Sequence, residues 1–441
     1  MTGKTPQPKA NGAFDAHHPP ALQILDKCVH CGFCLPACPT YALWGEEMDS
    51  PRGRIYLMKL ALEGKTEMNE TWVGHLDSCL GCVSCMTACP SGVDYGKLIE
   101  ATRAQIERNF RRPAATILHR RMLFEIFTRP DRLKLLRWPL LAYQKSGLRT
   151  ALQSLGVLRL LPKSLAAMDT LLPRAKPLEK IDTLTSANGE KRKRVGMLLG
   201  CVQRSFFSDV NAATARVLSA EGCEVVAPEE QSCCGALCIH TGEEARAQEF
   251  ARKLIDAFEK AEVEAIVINA AGCGSAVKEY GYLLRDDPAY AQRARRFAAK
   301  CKDITEFLAE LPRRAERKSL PARVAYQDAC HLQHAQGVRL QPRNLLQQIP
   351  DLQLVEIPEA PICCGSAGIY NLVQPDAARE LGDRKAGHVA AQKPDVVATG
   401  NPGCLLQLQA SLARAGHSIP VVHTIQLLDA SIRGVPLDTL R

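Results

Sequence analysis

Several common signals are missing from this sequence. No apolar run approaches the roughly 18 residues that a membrane-spanning helix needs. The first twenty residues, MTGKTPQPKANGAFDAHHPP, lack the hydrophobic centre of a secretory signal peptide, so we expect a cytoplasmic protein. Aromatic residues make up only 5% of the chain and no nucleic-acid-reading motif is present, which argues against a nucleic-acid partner. No complete Gly-x-Gly-x-x-Gly fingerprint and no P-loop occurs, so we expect no flavin or nicotinamide site in this chain.

Cysteine, by contrast, is abundant, with nineteen copies among 441 residues. Without export, disulfides are disfavoured, and clustered cysteines are more typical of metal ligands or redox groups. The remaining composition, with 46% apolar and 23% charged residues, is that of a soluble globular protein. The length favours two or three domains.

Two copies of the run Cys-x2-Cys-x2-Cys-x3-Cys-Pro lie in the first ninety residues. In bacterial ferredoxins, three close cysteines of this run bind one [4Fe-4S] cluster and the fourth binds the other cluster. Structural zinc is the alternative, but zinc sites usually contain paired rather than tripled cysteines. Crossed binding predicts a first cluster on Cys28, Cys31, Cys34 and Cys89. It predicts a second cluster on Cys38, Cys79, Cys82 and Cys85.

A basic and apolar segment extends from Arg111 to Lys176. It contains fourteen Lys or Arg residues and three Asp or Glu residues, a local net charge of +11, among many Leu, Trp and Phe residues. Such a helix-compatible segment suits an anionic membrane surface or an acidic partner. The alternative is a linker whose helices pack on the neighbouring domains.

The chain from about residue 191 contains two copies of a strand–helix alternation, which predicts α/β units with parallel sheets. Each copy contains a Cys-Cys-Gly triplet, and we call the copies the first and second CCG repeats. The four cysteines are separated by 31, 0 and 38 residues in the first repeat and by 32, 0 and 39 in the second, which indicates an internal duplication. These are Cys201, Cys233, Cys234 and Cys273, and then Cys330, Cys363, Cys364 and Cys404.

The four cysteines of each repeat, which we call a CCG quartet, follow the ends of predicted strands. These strand ends meet at one edge of an open parallel sheet. The last cysteine of the first repeat, Cys273, falls in a predicted turn, AGCGSA. Glycine allows the sharp turn that lets two adjacent cysteines face one centre. We therefore expect a further [4Fe-4S] cluster or a zinc ion in one or both repeats, with buried free thiols as the alternative. Cys223, Cys238 and Cys301 lie outside the pattern and are predicted to be small packed side chains.

These patterns together predict a mixed α+β and α/β architecture in four parts. A helical, ferredoxin-like domain with two [4Fe-4S] clusters is expected over residues 18–105, and a basic helical linker over residues 106–190. Two tandem α/β CCG (cysteine-rich) domains are expected over residues 191–315 and 316–441.

Two ferredoxin runs followed by two CCG repeats resemble the iron–sulfur subunits of bacterial glycolate oxidase, also called glycolate dehydrogenase. The resemblance covers about residues 21–430 and is carried by CVHCGFCLPACPTYALWGEEMDSPRGRIYLMK, NAATARVL, AGCGSAVKEYG, LQHAQ and CCGSAGIY. Iron–sulfur subunits of anaerobic glycerol-3-phosphate dehydrogenase, lactate utilisation and heterodisulfide reductase share the same order. The Cys-x2-Cys that ends CCG domains in some heterodisulfide reductases is absent, because Cys273 and Cys404 are followed by GSA and LLQ.

The resemblance implies an electron-transfer subunit of a hetero-oligomer, with no catalytic residues of its own. An FAD-binding glycolate oxidase subunit would oxidise glycolate to glyoxylate, or D-lactate. Electrons would then pass through this chain to a quinone or another non-oxygen acceptor, on the cytoplasmic face of the inner membrane. The alternatives are a subunit of a glycerol-3-phosphate or lactate-utilisation system, and a thiol/disulfide reductase acting at a CCG centre, which the missing fifth cysteines disfavour.

Several charged residues lie near the predicted cluster ligands. A positive charge would raise the reduction potential of a cluster, since it favours the more negative reduced state. The basic candidates for this effect, each with plain surface charge as the alternative, are Arg52, Arg54, Lys59 and Lys97. The histidines next to cluster cysteines are expected to be neighbours or surface residues rather than ligands: His30, His331 and His334.

Overall fold

A computed structural model describes residues 13–173 and 176–440. The part that carries the ferredoxin runs is helical. Serine and proline start its third helix, because Ser50 Oγ accepts a hydrogen bond from Gly53 N at 3.0 Å and Pro51 occupies the first helical position. Met58, Leu76 and Leu98 form its fully buried core. Its helices are α1 (Leu22–Leu25), α2 (Pro39–Trp44), α3 (Pro51–Leu62), α4 (Glu70–Asp77), α5 (Ser84–Thr87) and α6 (Tyr95–Asn109).

The basic segment forms four helices: α7 (Ala114–Phe127), α8 (Pro130–Lys145), α9 (Leu148–Ser154) and α10 (Lys163–Thr170). One side of α7 packs inward, where Leu123 and Phe124 contact Ile369 and Leu372 of the second CCG repeat. None of the helices in the described residues is long and apolar enough to cross a membrane.

The first CCG repeat is built on a five-stranded sheet in the order β1-β3-β2-β4-β5. Strands β2 to β5 are parallel, as predicted, and the short β1 is antiparallel to β3. Its strands are β1 (Leu184–Thr185), β2 (Lys193–Leu198), β3 (Cys223–Val226), β4 (Ala265–Ile268) and β5 (Cys301–Asp303). Its helices are α11 (Cys201–Phe206), α12 (Ser208–Ala220), α13 (Ala236–Thr241), α14 (Glu244–Glu259), α15 (Ala271–Lys278), α16 (Tyr280–Leu283), α17 (Ala291–Lys300) and α18 (Ile304–Glu310).

The second repeat has a fully parallel sheet in the order β7-β6-β8-β9. Its strands are β6 (Ala322–Tyr326), β7 (Leu352–Glu356), β8 (Val396–Thr399) and β9 (Val421–His423). A π-helix over His331–Ala335 follows β6. The α-helices are α19 (Leu340–Gln347), α20 (Tyr370–Val373), α21 (Pro375–Ala391), α22 (Pro402–Arg414) and α23 (Thr424–Arg433).

The two CCG repeats share one hydrophobic core, to which Val195 and Val225 of the first sheet and Val324 and Val396 of the second contribute. The predicted duplication of an α/β unit is therefore visible as two sheets packed together. One local expectation is wrong: AGCGSA begins helix α15 rather than forming a turn, because its alanines and small residues continue the backbone directly into a buried helix. The exact domain boundaries stay predictions.

Candidate iron–sulfur and cysteine-rich centres

A small, open cleft lies among the cysteines of the first ferredoxin run. The loop that forms it turns through left-handed backbone at His30 (φ 53°) and Gly32 (φ 88°), which lets a short segment present several sulfurs to one side. A side chain at Gly32 would also lie 2.8 Å from Arg52 Nη1. The cysteines that line the cleft are Cys28, Cys31, Cys34, Cys85 and Cys89.

This cleft is close to the molecular surface. Cys31 is exposed, and the neighbouring Val29 and Phe33 are 68% and 67% exposed. Burial nevertheless raises the pKa of the Cys34 thiol to about 11, so this part of the cleft is shielded from water. The four predicted ligands of the first cluster thus lie around a single opening, with Cys89 of the second run among them. Cys85, which is predicted to bind the second cluster, lines the same opening, so the division of ligands between the clusters stays a prediction.

The second ferredoxin run repeats the backbone of the first at equivalent positions, with left-handed Gly81 (φ 64°) and Val83 (φ 51°). Cys79 Sγ accepts hydrogen bonds from Gly81 N at 3.3 Å and from Tyr95 Oη at 3.6 Å. Cys38 Sγ lies 3.2 Å from Thr40 Oγ1. All four predicted ligands of the second cluster are buried: Cys38, Cys79, Cys82 and Cys85.

Arg54 is the charged group that these buried cysteines share. It is 1% exposed, and its guanidinium donates to Thr40 Oγ1 at 3.1 Å and to Ser78 Oγ at 2.8 Å. These two residues lie beside Cys38 and Cys79. Although burial acts in the opposite direction, the charges of Arg54 and Arg103 bring the pKa of the Cys79 thiol below its usual value. Arg54 is therefore no surface charge, and its position favours negative charge on the sulfurs.

The other basic candidates are paired at the surface. Arg52 binds Glu47 at 2.6 Å and donates to His30 O at 3.2 Å, next to the first cluster loop. Lys59 pairs with Asp26 at 2.8 Å and Lys97 with Asp94 at 2.7 Å. A neighbouring carboxylate offsets each of these charges, so a strong effect on a cluster is not expected from Lys59 or Lys97.

The first CCG quartet gathers at the carboxyl ends of β2, β3 and β4, where the strand order reverses. Cys201 begins α11, and its sulfur lies 3.7 Å from that of Cys233. The backbone after Cys234 is left-handed at Gly235 (φ 74°), where a side chain would press on the backbone of Ala247 at 3.3 Å. Cys234 O accepts a hydrogen bond from the buried Tyr280 Oη at 2.7 Å, and Cys273 lies in the first turn of α15.

The second CCG quartet has the same construction on β6, β7 and β8. Gly365 (φ 89°) packs on the backbone of Ala378, with only 2.5 Å between an added Cβ and Ala378 O. Asn401 Nδ2 donates to Cys404 Sγ at 3.6 Å, and His331 Nδ1 lies 3.5 Å from Cys330 Sγ. His331 is thus next to a predicted ligand, as expected.

The four cysteines of each CCG quartet suit either kind of centre. Zinc binds four sulfurs tetrahedrally at about 2.3 Å, whereas a four-iron cluster bonds each sulfur to a different iron. In the first repeat the sulfurs of Cys201 and Cys233 lie 3.7 Å apart. A zinc ion and a [4Fe-4S] cluster therefore both stay predictions for the CCG repeats.

Two observations concern residues outside the quartets. Cys223, Cys238 and Cys301 are buried in the hydrophobic cores, as predicted for small packed side chains. Lys385, which the sequence reasoning missed, is only 2% exposed on α21. The available signal was its spacing, because Lys385 lies four residues from both Leu381 and Val389 on the apolar face of the helix.

Known protein families match four segments of the chain, in the order expected. The 4Fe-4S dicluster domain matches residues 24–93, and the linker region of the glycolate oxidase iron–sulfur subunit matches residues 117–172. The cysteine-rich domain matches twice, over residues 195–278 and 324–409.

Full-length relatives decide the family. The probable glycolate oxidase iron–sulfur subunit of Bacillus subtilis (strain 168) is 40% identical over 91% of this chain and 92% of its own length. The glycolate oxidase iron–sulfur subunit of Escherichia coli (strain K12) is 37% identical over 93% of this chain and 95% of its own. The chain belongs to the family of glycolate oxidase iron–sulfur subunits. The resemblance found in its cysteine runs and in CCGSAGIY is thereby confirmed, as are its iron–sulfur character and its membership of an oxidoreductase complex.

Part of this chain is also similar to shorter proteins. Lactate utilization protein A of Geobacillus kaustophilus (strain HTA426) is 31% identical over 54% of this chain and 99% of its own length. The chain is thus similar to proteins named for two different hydroxy acids.

Proposed function

We propose that this chain carries electrons within a glycolate-oxidising complex. An FAD-containing partner subunit oxidises glycolate to glyoxylate, and this chain accepts the electrons and passes them towards a quinone or another non-oxygen acceptor. The names of the two full-length relatives support glycolate as the substrate. The lactate-utilisation relatives make D-lactate the second substrate to test.

One observation carries the electron-transfer role: the cleft that Cys28, Cys31, Cys34 and Cys89 line together. It supports a [4Fe-4S] cluster at this point, with the second cluster on Cys38, Cys79, Cys82 and Cys85. At the first position Cys31 is exposed and the other three cysteines are partly buried, whereas all four cysteines of the second position are buried. This order suits a cluster that receives electrons from a docked partner and a second cluster that passes them into the protein.

Metal analysis and spectroscopy of the oxygen-free full chain test this role. We expect at least about eight iron atoms, four for each cluster, and an electron paramagnetic resonance (EPR) signal after reduction with dithionite. About eight irons with zinc would assign zinc to the CCG repeats, and about twelve to sixteen would assign them clusters. Cys89→Ser should lose the first cluster, while the matched control Cys223→Ser, a buried cysteine outside the runs, should keep it. Colourless wild-type protein without a reduced signal would refute the proposal.

The substrate is tested on the complex purified from its native cells. Glycolate should reduce the clusters, as seen by EPR, and D-lactate should do so if the partner accepts both hydroxy acids. The chain alone should stay oxidised with either compound, because it contributes no flavin. Reduction by glycerol 3-phosphate but not by glycolate would assign the chain to a different complex.

We further propose that the basic linker attaches this chain to an anionic membrane surface. Leu135, Trp138, Leu155 and Leu160 are 72%, 74%, 75% and 85% exposed in a segment with a net charge of +11. Exposed aliphatic and indole groups among basic residues are typical of interfacial helices, since the apolar groups enter the lipid and the charges bind its headgroups. Attachment would place the electron-transfer chain near a lipid-soluble quinone.

Sedimentation with lipid vesicles tests the attachment. The full chain should bind vesicles of phosphatidylcholine with phosphatidylglycerol in low salt, bind pure phosphatidylcholine weakly, and be released by high salt. The double variant Leu135→Ser/Trp138→Ser should bind less, whereas Leu340→Ser, at a residue 67% exposed on the second CCG repeat, should bind like the wild type. Equal loss in both variants, or no binding at all, would contradict membrane attachment.

A further inference from the structure

The second CCG repeat, and not only the linker, contacts the cysteine-bearing loops of the N-terminal domain. Cys82 and Leu80 of the second ferredoxin run pack in one apolar cluster with Cys363 and Tyr370, and Cys330 lies against the same cluster. A predicted ligand of the second N-terminal cluster and two ligands of the second CCG quartet are thus parts of one buried contact.

Hydrogen bonds fix this contact on both sides. Tyr370 Oη donates to Ser78 O at 3.0 Å, immediately before Cys79. Thr87 Oγ1, between Cys85 and Cys89, lies 2.8 Å from His334 Nδ1 in the π-helix that follows Cys330. The two cysteine sites are therefore held at a constant separation rather than joined by a mobile segment.

The first CCG quartet has different surroundings. Cys233 and Cys234 belong to an apolar cluster whose buried members all come from residues 198–301, within their own repeat. Cys201 begins α11, which packs against linker helix α8. The two repeats thus have the same construction but different neighbours.

The repeats also differ in one buried charge. Gly235 packs on Ala247 and Gly365 on Ala378, so equivalent helix positions are 131 residues apart. Lys385 then corresponds to Leu254, and both are buried. Lys385 Nζ donates to Glu359 O at 2.5 Å and to Ala360 O at 3.4 Å, in the loop that leads to Cys363 and Cys364.

The charge of Lys385 is not neutralised by its hydrogen-bond partners, which are backbone carbonyls. The carboxylate of Glu359 is bound instead by Arg384 at 2.5 Å and by His388 at 3.1 Å. The first repeat has a cation of another kind, the half-buried Arg204, whose Nε donates to Gly200 O at 2.9 Å beside Cys201. A buried ammonium group that binds the loop leading to the Cys-Cys pair is a feature of the second repeat.

We propose that the second CCG repeat holds the centre that exchanges electrons with the second N-terminal cluster, and that Lys385 is a positioning residue that raises its reduction potential. The inference rests on the proposed electron-transfer function. Cys330, Cys363, Cys364 and Cys404 would hold a [4Fe-4S] centre, which would supply one-electron transfer with the second N-terminal cluster. Such a transfer would form or break no bond, and the buried ammonium group of Lys385 would offset the negative charge that the centre gains.

Redox titration of the full chain, followed by EPR, tests both parts. Wild-type protein should show a third signal in addition to the two N-terminal clusters, with magnetic broadening when it and the second cluster are both reduced. Cys364→Ser should remove the third signal and the broadening, and the matched Cys234→Ser in the first repeat should keep both. Lys385→Met should lower the midpoint potential of the third signal, while Lys385→Arg and Leu254→Met should leave it unchanged.

The outcomes separate the two proposals. Loss of the third signal in Cys234→Ser but not in Cys364→Ser would overturn the assignment to the second repeat, and so would zinc in that repeat. An unchanged midpoint potential of the third signal in a folded Lys385→Met protein would overturn the role of Lys385. If the methionine variant does not fold, the same measurement on Lys385→Gln replaces it. Absence of the two N-terminal signals in the wild type would instead refute the electron-transfer function itself.

Discussion

Replacing Arg54 with glutamine should lower the reduction potential of the second N-terminal cluster. Arg54 is buried, and its guanidinium lies 3.1 Å from Thr40 Oγ1, which in turn lies 3.2 Å from Cys38 Sγ. The positive charge is therefore within roughly 6 Å of a predicted ligand sulfur, and reduction adds a negative charge to this region. Removing the positive charge makes the reduced state less favourable.

The size of the effect follows from Coulomb's law. At roughly 6 Å and an effective dielectric constant of about 20, two unit charges interact with about 3 kcal/mol. One kcal/mol corresponds to roughly 40 mV for one electron, so the isolated charge would be worth about 120 mV. Asp49 Oδ1 lies 3.2 Å from Arg54 Nη2 and offsets part of this charge. We therefore expect a fall of about 60 mV in Arg54→Gln.

A charge-neutral pair of substitutions provides the control. Arg54→Gln removes the arginine that neutralises the buried Asp49, which keeps its contacts with Ser78 and His75. The double variant Arg54→Gln/Asp49→Asn removes both charges and should return the potential close to that of the wild type. Asp49→Asn alone should raise it. The assay is an EPR-monitored redox titration of oxygen-free protein, with the first cluster as the internal reference. The reasoning is refuted if Arg54→Gln retains its second cluster at the wild-type potential, or if both clusters shift equally.

Three further predictions concern stability. Burial lowers the pKa of His423 to about 4 from the ordinary 6.5. Between these two pH values the unfolded chain binds a proton on this histidine that the folded chain does not bind. The free energy of unfolding should therefore fall by about 3 kcal/mol as the pH is lowered from 6.5 to 4. His423→Asn keeps an acceptor for Ile425 N and should make the free energy of unfolding depend less on pH, as measured by urea titrations at several pH values. An unchanged pH dependence would show that His423 is not its source. Arg317→Met removes the positive charge that pairs with the buried Glu221 at 2.6 Å. It should lower the free energy of unfolding in urea by about 3–5 kcal/mol. A decrease below about 1 kcal/mol would contradict a stabilising buried ion pair. Gly365→Ala should lower the melting temperature strongly, because its Cβ would lie 2.5 Å from Ala378 O. The control Gly387→Ala should leave the melting temperature unchanged, because the space around Gly387 is open. Equal effects of the two substitutions would refute the packing argument.

The parts of the fold that depend on local sequence were predictable. The two cysteine runs predicted a dicluster domain, and the structure brings cysteines of both runs, Cys34 and Cys89 among them, to one cleft. The division of the eight cysteines between two clusters stays a prediction. The strand–helix alternation predicted parallel sheets, because short apolar strands joined by helices pack in this way. In both cases the structural outcome depends on residues that are close in the chain or on a repeated pattern.

The environment of each centre was not predictable, because it depends on contacts between distant segments. Arg54 reads in the sequence as one more charge in PRGR, yet its helix places it against Thr40 and Ser78 in the interior. Spacing places Lys385 on the apolar face of α21, but its hydrogen bonds to Glu359 O and Ala360 O depend on a loop that is distant in the sequence. Spacing identifies ligands, whereas burial and charge, which tune a redox centre, follow from tertiary packing.

The same distinction applies to the duplication. Matching cysteine gaps make the two CCG repeats look interchangeable, and their backbones around Gly235 and Gly365 are indeed alike. Both copies contact the ferredoxin domain, the first where Arg103 donates to His240 O at 2.7 Å. The apolar contact with a predicted cluster ligand goes to the second copy, in which Cys363 and Tyr370 pack with Cys82. The two copies thus meet the same domain through different residues, and the buried Lys385 occurs in the copy that packs on Cys82.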